Sequence, residues 1–208
     1  MIVAIDGPAG AGKSTVARRL AERLGFHYLD TGAMYRALTW LAMQRGFDLS
    51  QGERLGELAA QNPVEFSESG RVSIAGTDVT ASIRKSNIDR QVPVVAKHPA
   101  VREVMRERQR ELGHSGDSVI EGRDIGVVVV PDAEVKVWLV ADPGVRVTRR
   151  HAEREGLAVD ELAEELRRRE ERDAINTHQA PDAVEVDTTE LTLDEVVDRV
   201  AALVVAAR

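Results

Sequence analysis

Residues 7–14 read Gly7-Pro8-Ala9-Gly10-Ala11-Gly12-Lys13-Ser14, followed by Thr15, and match the pattern G-x-x-x-x-G-K-[ST]. Glycines without β-carbons let a backbone curl its N–H groups inward around phosphate oxygens, and a helix beginning there adds the positive end of its dipole. In such a loop the lysine reaches the β- and γ-phosphates and the serine hydroxyl ligates Mg²⁺. The flanks supply the context the motif needs. Ile2, Val3, Ala4 and Ile5 form an apolar run of the kind found in strands buried on both faces of a parallel sheet. After the loop, Val16, Ala17, Leu20 and Leu24 recur at helical spacing, and Gly25 is positioned as a C-terminal stop. Strand, glycine loop, lysine and helix in that order imply a bound nucleoside triphosphate.

The use made of that triphosphate is narrowed by what is missing. A guanine-reading N-K-x-D and a D-x-x-G are both absent, which argues against a switch GTPase. At 208 residues the chain is small for a mechanical ATPase and large enough for one domain with an insertion. A small kinase remains, and it needs a second anion-binding site for its acceptor. The chain has no cysteine, excluding disulfides, thiolate metal sites and thiol nucleophiles. Its formal net charge of -7 and its 3% aromatic content argue against binding a nucleic-acid polymer or an acidic membrane. The five histidines show no metal-ligand spacing. No basic and apolar leader precedes Ile2 and no apolar run could span a bilayer, so the expectation is a cytoplasmic protein, and a monomer.

The remaining chain supplies the elements that must hold this chemistry. A second short strand at 27–29 leads into a helix with Met34, Leu38, Leu41 and Ala42 on one face, Thr31-Gly32 as its opening and Arg36 one turn in. Residues 63–83 alternate and turn like a small antiparallel meander. A helix at 99–112 turns Val101, Val104, Met105, Gln109 and Leu112 inward and its arginines outward. The segment 118–131 reads as a strand ending in Gly122-Arg123-Asp124 and an apolar run, and 134–142 as another strand of the fully buried type. Residues 146–183 are dense in Arg and Glu with Leu157, Leu162 and Leu166 as sparse anchors. Most of those charges suit a solvated helix, but Arg167, Arg168, Arg169 and Arg172 crowd together as in a lid closing over phosphates. The chain ends in a strand and a helix opened by a Thr192–Glu195 capping box, with Leu193, Val196, Val197, Val200, Leu203 and Val204 as its packed face. The fold expected is α/β: a P-loop core with a doubly wound parallel sheet, an inserted subdomain with a small antiparallel sheet, and a helical lid.

Over nearly its whole length the sequence resembles the bacterial cytidylate kinases, the (d)CMP kinase branch of the nucleoside monophosphate kinases. The resemblance is carried by IDGPAGAGKST, LDTGAMYR, HPAVRE with RQR, EGRDIGVVVVPDA, RRREERD and PDAVEVDTT. It implies one kinase domain with a core of about 1–36, 93–148 and 182–208, a monophosphate-binding insertion of about 37–92, and a lid of about 149–181. It implies ATP as phosphoryl donor with Mg²⁺, and CMP or dCMP as acceptor. Thr31, Tyr35 and Arg36 then lie along the monophosphate pocket with Arg36 on the phosphate. Arg102 and Asp124 read the cytosine, Arg123 holds the phosphate, and Arg169 and Asp173 reach the nucleotide from the lid.

Two positions depart from that pattern. Pro93 stands where longer relatives place a base-contacting serine, and Asn176 where they place a second lid arginine, a role left open between Arg168 and Arg172. The implied chemistry asks for no general base, because the nucleophile is a CMP phosphate oxygen whose second pKa is about 6. Lys13, Arg36, Arg123 and Arg169 supply charge neutralisation. The competing readings are a P-loop kinase for a small metabolite such as shikimate or gluconate, and a non-enzymatic nucleotide switch.

Overall fold

The computed structural model describes residues 1–67, 69–153 and 159–208, without the side chains of Glu153 and Arg169. Leu157 and the side chain of Arg169, both named for the lid, lie outside the described residues. The first half of the chain runs β1 (Ile2–Asp6), α1 (Lys13–Leu24), β2 (His27–Asp30), α2 (Thr31–Gln44), α3 (Gly52–Gln61), β3 (Glu65–Phe66), β4 (Val72–Ile74), β5 (Thr77–Asp78) and α4 (Ser86–Ala96). The second half runs α5 (Pro99–His114), β6 (Ser118–Glu121), β7 (Val135–Val140), α6 (Pro143–Glu153), α7 (Val159–Asp173), β8 (Val184–Asp187) and α8 (Leu193–Ala206). Two compact units divide these elements: Met1–Leu29 with Gly113–Arg208, and Asp30–Leu112.

The first unit is built on a five-stranded sheet of order β2-β6-β1-β7-β8. β1 runs parallel to β6, with Ile2 opposite Ser118, and to β7, with Val3 opposite Val135. β7 in turn runs parallel to β8. Every residue of β1 is buried, as its unbroken apolar run requires. Val3, Ile5, Val137, Leu139 and Val186 pack with Val16, Ala17 and Leu20 of α1 and Val196, Val197, Val200 and Val204 of α8. β7 differs from the expected fully buried strand. Val135, Val137 and Leu139 are buried while Lys136, Trp138 and Val140 are only partly so, and the alternation means that its second face is incompletely covered.

In the second unit β3, β4 and β5 form the antiparallel meander, with Glu65 opposite Ser73 and Ile74 opposite Thr77. α2 buries Met34, Leu38, Leu41 and Ala42 as its periodicity dictates. Its cap is Asp30, whose side chain accepts from the Ala33 N–H, and not Thr31; a carboxylate one residue earlier has the reach to that amide. α3 and α4 have no counterpart among the elements expected from the sequence. α4 runs through Pro93, a residue that argues against a helix because it cannot donate a helical hydrogen bond. α5 buries Val101, Met105 and Gln109, but its arginines do not all face outward: Arg102, Arg106 and Arg108 are half-buried and Arg110 is exposed. An arginine can bury its aliphatic stem and still keep its charge in water, which a residue-level polarity pattern cannot show.

At the other end of the chain α8 opens with both halves of its capping box: Glu195 N–H donates to Thr192 Oγ1 at 3.3 Å and Thr192 N–H to Glu195 Oε2 at 2.8 Å. Leu193, assigned to the packed face, is 39% exposed, whereas Val196 and Val197, one turn further on, are buried. Thr192→Ala removes one arm of the cap and should destabilise the protein by about 1 kcal/mol. A lower urea midpoint with an unchanged slope is the expected result; an unchanged midpoint would show that the cap contributes nothing.

Candidate active site

The phosphate loop spans the gap between the end of β1 and the start of α1. Gly7 has φ of 146°, and a β-carbon there would sit 2.2 Å from the Leu139 carbonyl oxygen, so strand β7 admits only glycine beside it. Gly12 caps α1 in the left-handed conformation, with no side chain bonded to the helix end. First-turn N–H groups lacking a capping side chain form an anion site. Lys13 is 8% exposed and its Nζ donates to the Pro8 carbonyl at 2.8 Å, so the ammonium spans the loop.

Ser14 Oγ donates to Glu121 Oε1 at 2.7 Å, and Tyr28 Oη lies 3.5 Å from the same oxygen. Glu121 ends β6 and is buried. A hydroxyl oxygen made more basic by a buried carboxylate is the hard donor that Mg²⁺ takes, so the residues present fit that ion. Glu121 is not among the residues that the sequence singles out; the available signal was a lone acid ending an apolar strand beside Gly122-Arg123-Asp124.

That turn is fastened to the loop. Arg123 donates from Nη1 to the Gly7 carbonyl at 2.9 Å, and its Nη2 pairs with Asp173 at 2.9 Å at the end of α7. Asp124 is buried and opens a π-helical turn, Ile125–Val129. Asp6 accepts from the Ile125 and Gly126 N–H groups at 2.9 and 2.8 Å. Arg146 likewise had no distinguishing mark in the sequence. It is buried, donates to the Ala9 carbonyl of the loop at 3.1 Å, and pairs with Glu170 of α7. Arg149 donates to the Thr188 hydroxyl and carbonyl at 2.9 and 2.7 Å.

In the crowded arginine cluster, Arg167 and Arg168 both bond Glu164, Arg167 also pairs with Glu171, and Arg172 Nε donates to the Arg168 carbonyl. Hydrogen bonds from Arg167 and then Arg168 hold the Glu164 carboxyl down at about 2. These exposed pairs hold α7 in shape more than they stabilise the fold. α7 is anchored by Leu162 and Leu166, both buried.

The second unit carries a separate cationic cluster. The buried Asp30 carboxylate receives Arg36 Nη2 at 3.1 and 2.9 Å on its two oxygens and Arg84 Nη2 at 3.1 Å. Burial opposes its charge, but the Arg36 and Arg84 guanidiniums and the Ala33 N–H outweigh that and hold the carboxyl below its ordinary range. Two guanidiniums on one carboxylate leave one net positive charge with fixed N–H donors, a fit for a phosphate. Arg84 follows the meander on a 3₁₀ turn, Ser82–Arg84, and nothing in its local sequence marked it. Thr31 is buried and Tyr35 half-buried in the first turns of α2, on the same helix as Arg36. Arg102 stands half-buried on α5.

Asp30→Asn would leave two guanidiniums without their shared anion. The expected loss of stability is roughly 2–4 kcal/mol, the partial exposure of Arg84 keeping it below that of a fully buried pair. The wild-type contribution requires ionised Asp30: present above the unfolded carboxyl pKa of about 3.9, it is lost as pH falls through the lower folded value. Urea unfolding of both proteins between pH 3 and 7 measures it; a difference that stays constant down to pH 3 would contradict this assignment.

The family model for cytidylate kinase matches residues 3–206. A cytidylate kinase of Anoxybacillus flavithermus is 50% identical over 213 aligned positions, covering 97% of this chain and 95% of the relative. That of Bacillus subtilis is 46% identical over 209, covering 95% and 93%. Among solved structures, a shikimate kinase from Bacteroides thetaiotaomicron superposes with a TM-score of 0.53 at 19% identity, covering 98% of each chain, and shares the P-loop kinase fold alone. With a family match over virtually its full length and relatives this similar, the chain belongs to the cytidylate kinase family.

Proposed function

We propose that the protein transfers the γ-phosphoryl group of ATP to CMP or dCMP, giving ADP and CDP or dCDP. The observation that supports this most is the fastening of the Gly122–Asp124 turn to the phosphate loop through Arg123 and the Gly7 carbonyl. It makes the donor cradle and two candidate acceptor contacts parts of one rigid piece. In this reading the loop from Gly7 to Thr15 holds the ATP phosphates and Lys13 neutralises charge developing between β and γ. Ser14, held by Glu121, is the residue that would carry Mg²⁺, which when bound offsets phosphate charge.

Arg36, Arg84 and Arg123 bind the acceptor phosphate, and Arg169 joins them from the lid. Thr31 and Tyr35 line the acceptor pocket, Asp173 takes the sugar, and Arg102 and Asp124 take the cytosine. Residues 37–92 serve as the acceptor-binding insertion and 149–181 as the lid. A phosphate oxygen that is already ionised needs no base, so positioning and charge carry the rate. No helix among the described residues is long and apolar enough to cross a membrane, and we take the enzyme to act as a cytoplasmic monomer.

A coupled assay of ADP release with CMP, dCMP, UMP, AMP, shikimate and gluconate tests the reaction. CMP and dCMP should be the best acceptors, and faster turnover of shikimate or gluconate would overturn the reading. Lys13→Ala should keep its fold and lose at least about a hundredfold in turnover. Activity within a few-fold of wild type would defeat the loop's role.

Asp124→Asn separates base reading from bracing. Cytosine offers an amino donor at N4 where uracil offers a carbonyl acceptor, so a carboxylate favours the first and repels the second. Losing one such pair should lower kcat/KM for CMP by roughly tenfold to a hundredfold while UMP is nearly unaffected. An equal fall for both substrates would show that Asp124 only braces its neighbours.

A further inference from the structure

Asp6 is a buried carboxylate whose two hydrogen-bond partners are backbone amides, Ile125 N–H on one oxygen and Gly126 N–H on the other. Three more contacts run between the same two stretches of chain. Gly122 N–H donates to the Ile5 carbonyl at 3.1 Å, Arg123 to the Gly7 carbonyl at 2.9 Å, and Ile5 pairs with Glu121 in the sheet. Residues 122, 123, 125 and 126 are thus stitched to residues 5, 6 and 7, with Asp124 enclosed by the stitches. Of these contacts only the one through Asp6 depends on a side chain that can change its charge near neutral pH.

We propose that Asp6 is a positioning residue for phosphoryl transfer, its ionised carboxylate setting the register between the phosphate loop and the turn that carries Arg123 and Asp124. This rests on the reading of those two residues as acceptor contacts. An ionised carboxylate accepts strongly from both amides, whereas a proton on either oxygen makes that oxygen a poor acceptor and loosens one end of the turn.

Burial pushes the Asp6 carboxyl up to about 6, against its bonds to Gly126 and Ile125, with the charge of Asp124 raising it further and that of Lys13 lowering it. The remaining charged groups around the stitched segment are Glu121 on β6, Arg123 with Asp173, Lys136 of β7 against Gly126, and His178, whose N–H bonds the Arg123 carbonyl. Opposite Asp6 in β7 stands Trp138, which does not titrate. With a folded pKa above the unfolded value of about 3.9, the folded state binds more protons between the two, so raising the pH through that window removes stability. At neutral pH the fold therefore carries a charge that weakens it, as expected of a group kept for geometry.

Two measurements on the full-length protein test this. In the wild type, the ¹⁵N–¹H signals of Ile125 and Gly126 should titrate together with a midpoint of about 6. Signals that stay still while the Asp6 carboxyl carbon itself titrates would overturn the proposal, whatever any variant does. In Asp6→Asn, an amide of the same shape opposes one backbone N–H with its own. At pH 8, kcat with CMP should fall roughly tenfold to a hundredfold, with ATP-analogue affinity and melting temperature nearly unchanged.

The acid limb of log(kcat/KM) should also lose one proton, from two in the wild type to the one belonging to the CMP phosphate. Activity within threefold of wild type with a two-proton limb would overturn it. A wild type inert towards CMP would instead refute the proposed reaction, a result separable from the amide titration.

Discussion

The first unit is organised around the end of β1. That strand lies between β6 and β7, and all five of its residues are buried. A strand in that position cannot be shifted by one residue without exchanging its core side chains, so the point where it stops is set by the whole sheet. It stops at Asp6, and the next residue lies so close to the Leu139 carbonyl that only glycine fits. The phosphate loop is therefore launched from a fixed point against a fixed wall. The turn after β6 is tied to the same point through Asp6 and the Gly7 carbonyl. A nucleotide cradle built on packed strands holds its donors in place without the ligand's help.

A second constraint recurs in both units: a guanidinium is held by a buried or half-buried carboxylate. In the first unit Asp173 holds Arg123 and Glu170 holds Arg146. In the second, Asp30 holds Arg36 and Arg84 together. Long arginine side chains lose conformational freedom when they bind an anion, and a carboxylate that has already ordered them reduces that loss. It also keeps like charges together in a protein whose formal net charge is -7. The acidic total and the local cationic clusters serve one purpose, since carboxylates are what make dense arginines tolerable.

α7 shows the same arrangement on a weaker scaffold. Leu162 and Leu166 are its buried apolar contacts, and its exposed face is laced by Glu164, Arg167, Arg168 and Glu171. Pairs of this kind hold helical geometry at small net energy. What attaches the helix to the phosphate loop is polar: Arg146 bridges the Ala9 carbonyl and Glu170. Arg123 makes a second such link, between the Gly7 carbonyl and Asp173, so the attachment rests on hydrogen bonds and charge, where an apolar interface would rest on buried area.

Much of this was legible in the sequence because it depends on near neighbours. The loop motif, the strand before it, the helix with its stop at Gly25, the meander and the Thr192–Glu195 box are all encoded within a few residues of themselves. Local chemistry also marked Gly122-Arg123-Asp124 at the end of a strand and an arginine cluster suited to a lid, and the family resemblance attached expected roles to residues in both. Other features needed tertiary structure, since their partners are remote: Ser14 and Glu121 are 107 positions apart, Arg84 and Asp30 54, and Arg146 and Ala9 137. Local patterns also misplaced the cap of α2, the outward arginines of α5 and the burial of Leu193, each settled by reach or packing. A sequence states which groups can bear charge or curl around a phosphate. Which carboxylate steadies which arginine is decided only when the fold brings them within about 3 Å, because a hydrogen bond fades beyond that distance.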